Sequence, residues 1–381
     1  MTSSTNADVK KFRPASDAAI ALADGRVFRG RAFGADADAA GEVVFTTSMT
    51  GYQEVCTDPS FKGQLVCMTF PLIGNYGVVA DDDESRQPWI SALIVREHSD
   101  RPSNWRSTGT IDQYLTDHDI PGISGIDTRA LTRHIRSVGD TRAVLVRNAA
   151  DMTDDELVVR AKSAPLPGEQ PVVDEVSNDQ ITTEGSINGP HIVVLDCGVK
   201  RNIIRSLVRR GARVTSVPYG TPYADISALK PDGVIVSPGP GDPANLDEGL
   251  DVVRSLLNRQ TPYFGICLGH QLLARAIGAE TVKLKFGHRG GNHPVLDTRS
   301  DHVSITAQNH GYVVKNDSLP SDSGWNVALV NLNDQSVEGF SHESLPVLSV
   351  QFHPEASPGP MDNGYLFDQF LEIVKERAAA H

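Results

Sequence analysis

The sequence predicts an α/β protein of two domains, a strand-rich α+β domain followed by a doubly wound, mostly parallel open sheet. Three observations predict it. The chain has 381 residues, more than one hydrophobic core usually serves. From Ala161 to Pro190 the string AKSAPLPGEQPVVDEVSNDQITTEGSINGP is rich in Pro, Gly, Ser and acids and lacks apolar periodicity, as a linker or surface loop does. Before that string β-type runs dominate, and after it short apolar strands alternate with helix-like stretches. The expected division is a loose tail over 1–16, a first domain over 17–160, a linker or surface loop over 161–190, and a second domain over 191–378.

In the first domain, AAIALADGRVFRGRAFG places Asp24-Gly25 between two apolar-rich runs, a strong hairpin signal. GEVVFTTSMTG and KGQLVCMTF continue as short β-type runs bounded by Gly and Pro. IDQYLTDHDI and DTRALTRHIRSVG have helical spacing, with Asp127 placed as an N-cap. In the second domain the strands are IVVLD (192–196), RVTSVP (213–218), GVIVSP (233–238) and YFGI (263–266). VKRNIIRSLVRRG, ISALK and LDEGLDVVRSLLNRQ lie between them as helices. Such alternation means parallel strands with both sheet faces covered, and a functional site beyond their carboxyl ends. From Thr281 to His353 strands and Gly-rich turns follow, and NGYLFDQFLEIVKERAA closes the chain as an amphipathic helix.

Composition narrows the function. The net charge of −13 denies the chain the basic footprint of nonspecific nucleic-acid or anionic-membrane binding, so neither is an expected partner. Cys56, Cys67, Cys197 and Cys267 are too few for a disulfide scaffold and lack zinc-like spacing, which points to a reducing, cytoplasmic compartment. No apolar run approaches the ~20 residues of a membrane span, and the first residues have neither a secretory nor an import pattern.

Chemistry is concentrated in the second domain. In YFGICLGHQ, Gly265-Ile266-Cys267-Leu268-Gly269 has the spacing of a nucleophile elbow with Cys in the place of Ser. A sharp strand-to-helix turn lifts the central side chain out of the sheet, and the helix aims its N-terminal N–H groups and positive dipole end at the sulfur, favouring thiolate. A lone Cys would be a buried structural residue, but strand, elbow and helix in register make Cys267 a nucleophile. QFHPEAS supplies the base and its orienter, because residues i and i+2 of an extended segment share a side, so His353 and Glu355 can pair. SPGPGDPANL, after the third strand, offers uncovered backbone N–H groups, and with the N–H of Leu268 that of Gly239 would form an oxyanion hole.

GICLGHQ with a downstream HPE, on this alternating background and with a Gly-Pro-Gly loop, resembles the class I (triad) glutamine amidotransferase domain. FTTSMTGYQEVCTDPSF, IGNYGV, GISGIDTRALTRHIR, KFGHRGGNHPV, TAQNHGY and HPEASPGP further resemble the small, glutamine-hydrolysing chain of carbamoyl phosphate synthetase. The resemblance implies a Cys267, His353 and Glu355 triad. It implies L-glutamine held by Ser48 of the first domain, by Gly239, Gly241, Leu268 and Gln271 around the elbow, and by Asn309, Gly311 and Tyr312. It implies no cofactor on this chain and a large-chain partner, in a heterodimer or a higher oligomer, that uses ATP, Mg and bicarbonate and feeds arginine and pyrimidine synthesis. The lack of a GxxxxGK[ST] phosphate loop agrees with ATP being used elsewhere. Tyr312, where Phe is common, and Cys197, where an aromatic is common, depart from the family; Cys197 is assigned only packing. The competing readings are an amidotransferase subunit for another acceptor, such as anthranilate or a nucleotide, and a noncatalytic scaffold chain. The first-domain strings weigh against the one and the intact triad against the other.

The remaining candidates read plainly. His288, His293, His302 and His310 are irregularly spaced, so no metal is expected. His270 reads as a packing residue, and Asp81-Asp82-Asp83-Glu84 as a solvated acidic loop.

Overall fold

The computed structural model describes residues 16–321 and 323–379, so almost all of the expected tail lies outside the described residues. The first domain is a closed barrel. Its seven strands are, in spatial order, Ala18–Leu22, Val27–Gly34, Pro121–Ser124, Ala92–Ile94, Gln64–Met68, Ala39–Thr46 and Thr141–Arg147. The hairpin forms around Asp24-Gly25, with Ala21 opposite Val27, and the Asp127 carboxylate caps helix Thr128–Val138 by accepting the Ala130 N–H at 2.9 Å. Strand richness was legible, but closure was not. It depends on which short strand pairs with which, and it removes the open edges such strands would otherwise present.

The second domain is a six-stranded sheet in the order Thr182–Gly185, Arg213–Pro218, His191–Asp196, Gly233–Val236, Tyr263–Ile266 and Val347–Val350. All neighbours run parallel except the first pair. Alternation sorts the strands between two cores: Val193 and Leu195 pack with Leu268 and Leu272, whereas Ile192 and Val194 pack with Phe367 and Phe370 of the closing helix Tyr365–Ala379. A four-stranded antiparallel sheet of Thr281–Asp297, His302–Val314, Trp325–Asn331 and Val337–His342 extends from it. None of the described helices is long and apolar enough to cross a membrane.

The segment expected as a linker or surface loop is structured. Val172, Val173 and Val176 are buried on a short helix, Val173 within the second-domain core, and Thr182–Gly185 is the antiparallel edge strand. Its Pro and Gly residues mark turns between short elements, too short for periodicity to declare them.

Candidate active site

Strand Tyr263–Ile266 ends at Cys267, and helix Leu268–Ala276 begins at the next residue. Cys267 has φ 52° and ψ −101°, a backbone conformation that L side chains rarely adopt and that persists only where its surroundings enforce it. Those surroundings include the Cys267 N–H donating to the Val350 carbonyl at 2.8 Å. Small neighbours are required as well: a Cβ at Gly269 would lie 2.2 Å from the Val236 carbonyl oxygen, and one at Gly265 would lie 2.8 Å from the Gly269 carbonyl.

The thiol is buried and donates to the Asn309 carbonyl at 3.7 Å. His353 leaves the end of the neighbouring strand, its N–H bonded to the Ala307 carbonyl at 2.9 Å. Its Nδ1 lies 2.6 Å from Glu355 Oε1, while its Nε2 is buried with no hydrogen-bond partner among the described residues. Burial pulls the His353 pKa down, but the Glu355 carboxylate hydrogen-bonded to its ring and the Cys267 sulfur beside it more than compensate, raising it to about 10. Burial raises the Glu355 pKa, and the Lys200 ammonium and His353 overcome that and hold it at about 2. The resting arrangement is therefore imidazolium beside carboxylate.

Lys200 was not singled out from the sequence. It is fully buried, with Nζ 3.1 Å from Glu355 Oε1 and a hydrogen bond to the Ala356 carbonyl. Burial lowers the ammonium's pKa, yet Glu355, Asp58 and Glu84 together hold it above that of an ordinary lysine. Its place in LDCGVK, just beyond the carboxyl end of the first parallel strand, was the available signal. The acidic run also departs from expectation. Glu84 is buried and accepts the Asn202 N–H at 3.0 Å, and Asp83 accepts from Gln53 Nε2 at 2.7 Å and Tyr114 Oη at 2.8 Å. Burial pushes the Glu84 pKa up to about 7.

A cavity lined by Cys267 also contains Gly239, Gly241, Gln271, Asn309, Gly311 and Tyr312, six of the eight residues expected around glutamine. Leu268 does not line it, but its N–H belongs to the first helical turn, where no intrahelical acceptor exists. The Gly239 loop lies against it, since a Cβ at Gly239 would be 2.8 Å from Leu268 Cδ2 and 2.2 Å from the Cys197 carbonyl oxygen. Ser48 lies in an adjoining cavity with His353 and Lys200, reached through the shared Asn309. The first domain instead sends Glu42, Ser60 and Gln64 into the Cys267 cavity, joined by Pro167 and Gly168. Asp58 ties the domains, accepting the Ser60 N–H at 2.9 Å and Asn309 Nδ2 at 2.8 Å. At Tyr312 the backbone carbonyl accepts Gln271 Nε2 at 2.8 Å, while burial and the neighbouring Asp242 carboxylate push the phenol pKa up. His270 is buried, contacts Ser349 Oγ at 3.1 Å and is held neutral by burial, with a pKa of about 3.

Lys200→Met should raise the Glu355 pKa, because the strongest charge holding it down is removed. Loss of kcat/KM for glutamine on acidification is then expected to set in at higher pH than in the parent. A pH profile measures this, and an unmoved acid limb would show that Lys200 does not hold the carboxylate ionised.

The glutamine amidotransferase class-I family model matches residues 193–373, and that of the carbamoyl-phosphate synthase small chain, CPSase domain, matches residues 20–145. Relatives described as carbamoyl phosphate synthase small chains include that of Fusobacterium nucleatum, 49% identical over 93% of this chain and 97% of its own. That of Syntrophotalea carbinolica is 49% identical over 94% of this chain and 98% of its own, and that of Methanopyrus kandleri is 48% identical over 94% and 99%. With matches that run through both domains, this chain belongs to the carbamoyl phosphate synthase small chain family.

Proposed function

We propose that the chain hydrolyses glutamine with Cys267 as nucleophile, His353 as proton carrier and Glu355 as its orienter, and delivers the ammonia to a large synthetase chain. The observation that carries this is Cys267 on a left-handed turn at a helix N-terminus, beside a buried His353–Glu355 pair. The Cys267 thiolate attacks the side-chain carbonyl carbon of glutamine, and the N–H groups of Gly239 and Leu268 receive the oxyanion. Collapse breaks the C–N bond, the His353 imidazolium protonates the leaving nitrogen, and a γ-glutamyl thioester remains on Sγ. His353, now neutral, takes a proton from water; the hydroxide adds to the thioester carbonyl and thiolate leaves, releasing glutamate. Ser48, Gly239, Gly241, Leu268, Gln271, Asn309, Gly311 and Tyr312 hold the substrate.

The partner uses ATP, Mg and bicarbonate, and the product, carbamoyl phosphate, serves arginine and pyrimidine synthesis in the cytoplasm. Ammonia released into water would be protonated and lost as a nucleophile, so hydrolysis coupled to an occupied partner has a physical advantage. Because the first domain contributes both cavity-lining residues and the Asp58–Asn309 tie, a partner docked on it can adjust the reacting geometry, where ~1 Å of misplacement costs about 100-fold. Glutamate release is expected to be slow for the chain alone and much faster with large chain, ATP and bicarbonate. Equal rates in the two assays would make the chain a free-standing glutaminase.

A further inference from the structure

Behind the wall of the glutamine cavity to which His310 contributes, three strands of the antiparallel sheet bring His288, His310 and Glu338 together. One ligand atom from each lies within 4.8 Å of the other two, and all three residues are buried. The His293 ring stands beside His288, with centroids 5.1 Å apart. The hydrogen bonding of this cluster does not balance. His310 Nδ1 lies 2.8 Å from the Tyr312 carbonyl, which can only accept, so Nδ1 carries the proton and Nε2 the lone pair. Yet Nε2 lies 2.8 Å from Gln308 Oε1, another acceptor. Turning the Gln308 amide would satisfy His310 but set its oxygen against the Glu338 carboxylate, which Gln308 Nε2 now meets at 2.9 and 3.0 Å. His288 Nδ1 and His293 Nδ1 are buried and have no hydrogen-bond partner among the described residues. The cluster thus gathers, beside the Glu338 carboxylate, buried ring nitrogens that meet no donor.

We propose that His288 Nδ1, His310 Nε2 and Glu338 Oε1 bind one zinc-class divalent cation, with water in the fourth position. Imidazoles with one carboxylate suit such a metal, which takes four ligands in a tetrahedron. The outer contacts have the form that metal-bound histidines use: His288 Nε2 meets the Asp334 carboxylate at 2.9 Å, and His310 Nδ1 donates to the Tyr312 carbonyl. His288 Nδ1 is 3.9 Å from Glu338 Oε1, so a modest contraction brings both to one ion, which takes the place of the His310–Gln308 contact. Asp334, the outer partner of His288, is partly exposed. The Tyr312 carbonyl that His310 supports also receives Gln271 from the glutamine cavity, so the ion would brace one wall of that cavity from behind.

The test uses the full chain carrying Cys267→Ser, which removes the thiolate as a competing zinc ligand. The protein is stripped with a chelator and titrated with Zn²⁺ by calorimetry and with Co²⁺ by visible spectroscopy. The expected result is one equivalent bound, with tetrahedral Co²⁺ absorption and no sulfur charge-transfer band. Asp334→Asn, a change at a partly exposed position, should weaken binding about 10–100-fold, and Glu338→Gln should remove it. Absence of saturable binding, or binding that Asp334→Asn leaves unchanged, overturns the proposal and makes the cluster a network completed by a proton on Glu338. Neither readout depends on glutamine turnover, so the outcome is separate from that of the proposed function.

Discussion

Cys267→Ser should abolish glutamine-dependent carbamoyl phosphate synthesis by the assembled enzyme, at least about 10⁴-fold, while synthesis from added ammonia continues near the parent rate. The selectivity follows from the chemistry, because only the supply step forms a bond to Sγ. The substitution is nearly isosteric at a buried position whose left-handed backbone is set by Val350 and the flanking glycines, so the fold should survive. A serine hydroxyl lacks the accessible anion of a thiol, and the nearby imidazolium has no thiolate to pair with. The measurement is product formation from glutamine and from ammonium salts on the same preparation. Glutamine-driven turnover within about tenfold of the parent would falsify the nucleophile assignment.

His353→Asn is expected to cost on the order of 10⁴-fold or more in kcat and Glu355→Gln much less, because His353 transfers two protons in the cycle whereas Glu355 only fixes the ring and its charge. The pH dependence separates the roles. In the parent the imidazolium required for ammonia departure is lost as pH rises through about 10. Without the Glu355 carboxylate, burial lowers the His353 pKa against Cys267 alone, so in Glu355→Gln the alkaline limb of kcat/KM should move toward neutrality. Stability follows the same shifts. The contribution of His353, with its pKa raised from 6.5, is complete below about pH 6.5 and is lost as pH rises through about 10. That of Glu355, lowered from 4.5, is complete above about pH 4.5 and is lost as pH falls through about 2. Glu355→Ala would also leave Lys200 buried without its nearest carboxylate, where breaking a buried pair costs about 3–5 kcal/mol, so the glutamine variant is the cleaner probe. A larger kcat loss for Glu355→Gln than for His353→Asn would reverse the assignment of roles.

What the sequence by itself determined is what short-range geometry can encode. The elbow is five consecutive residues whose turn demands glycines on both sides of Cys267, and the His353–Glu355 pair follows from the two-residue period of an extended segment. Alternating apolar runs likewise declare a parallel sheet and place its site beyond the carboxyl ends of the strands. Only the tertiary structure decided which distant residues meet those local devices. Lys200 reaches Glu355 because both follow parallel strands that end on the same side of one sheet, and Asp58 reaches Asn309 because the closed barrel abuts the antiparallel extension. The irregular spacing of His288, His293 and His310 conceals their convergence, since register shifts at Lys283/His288 and Gly290/His293 decide which way those side chains turn. Strand register and barrel closure are fixed by the summed packing of the whole chain, so contacts across them leave no periodic mark in the residues that make them.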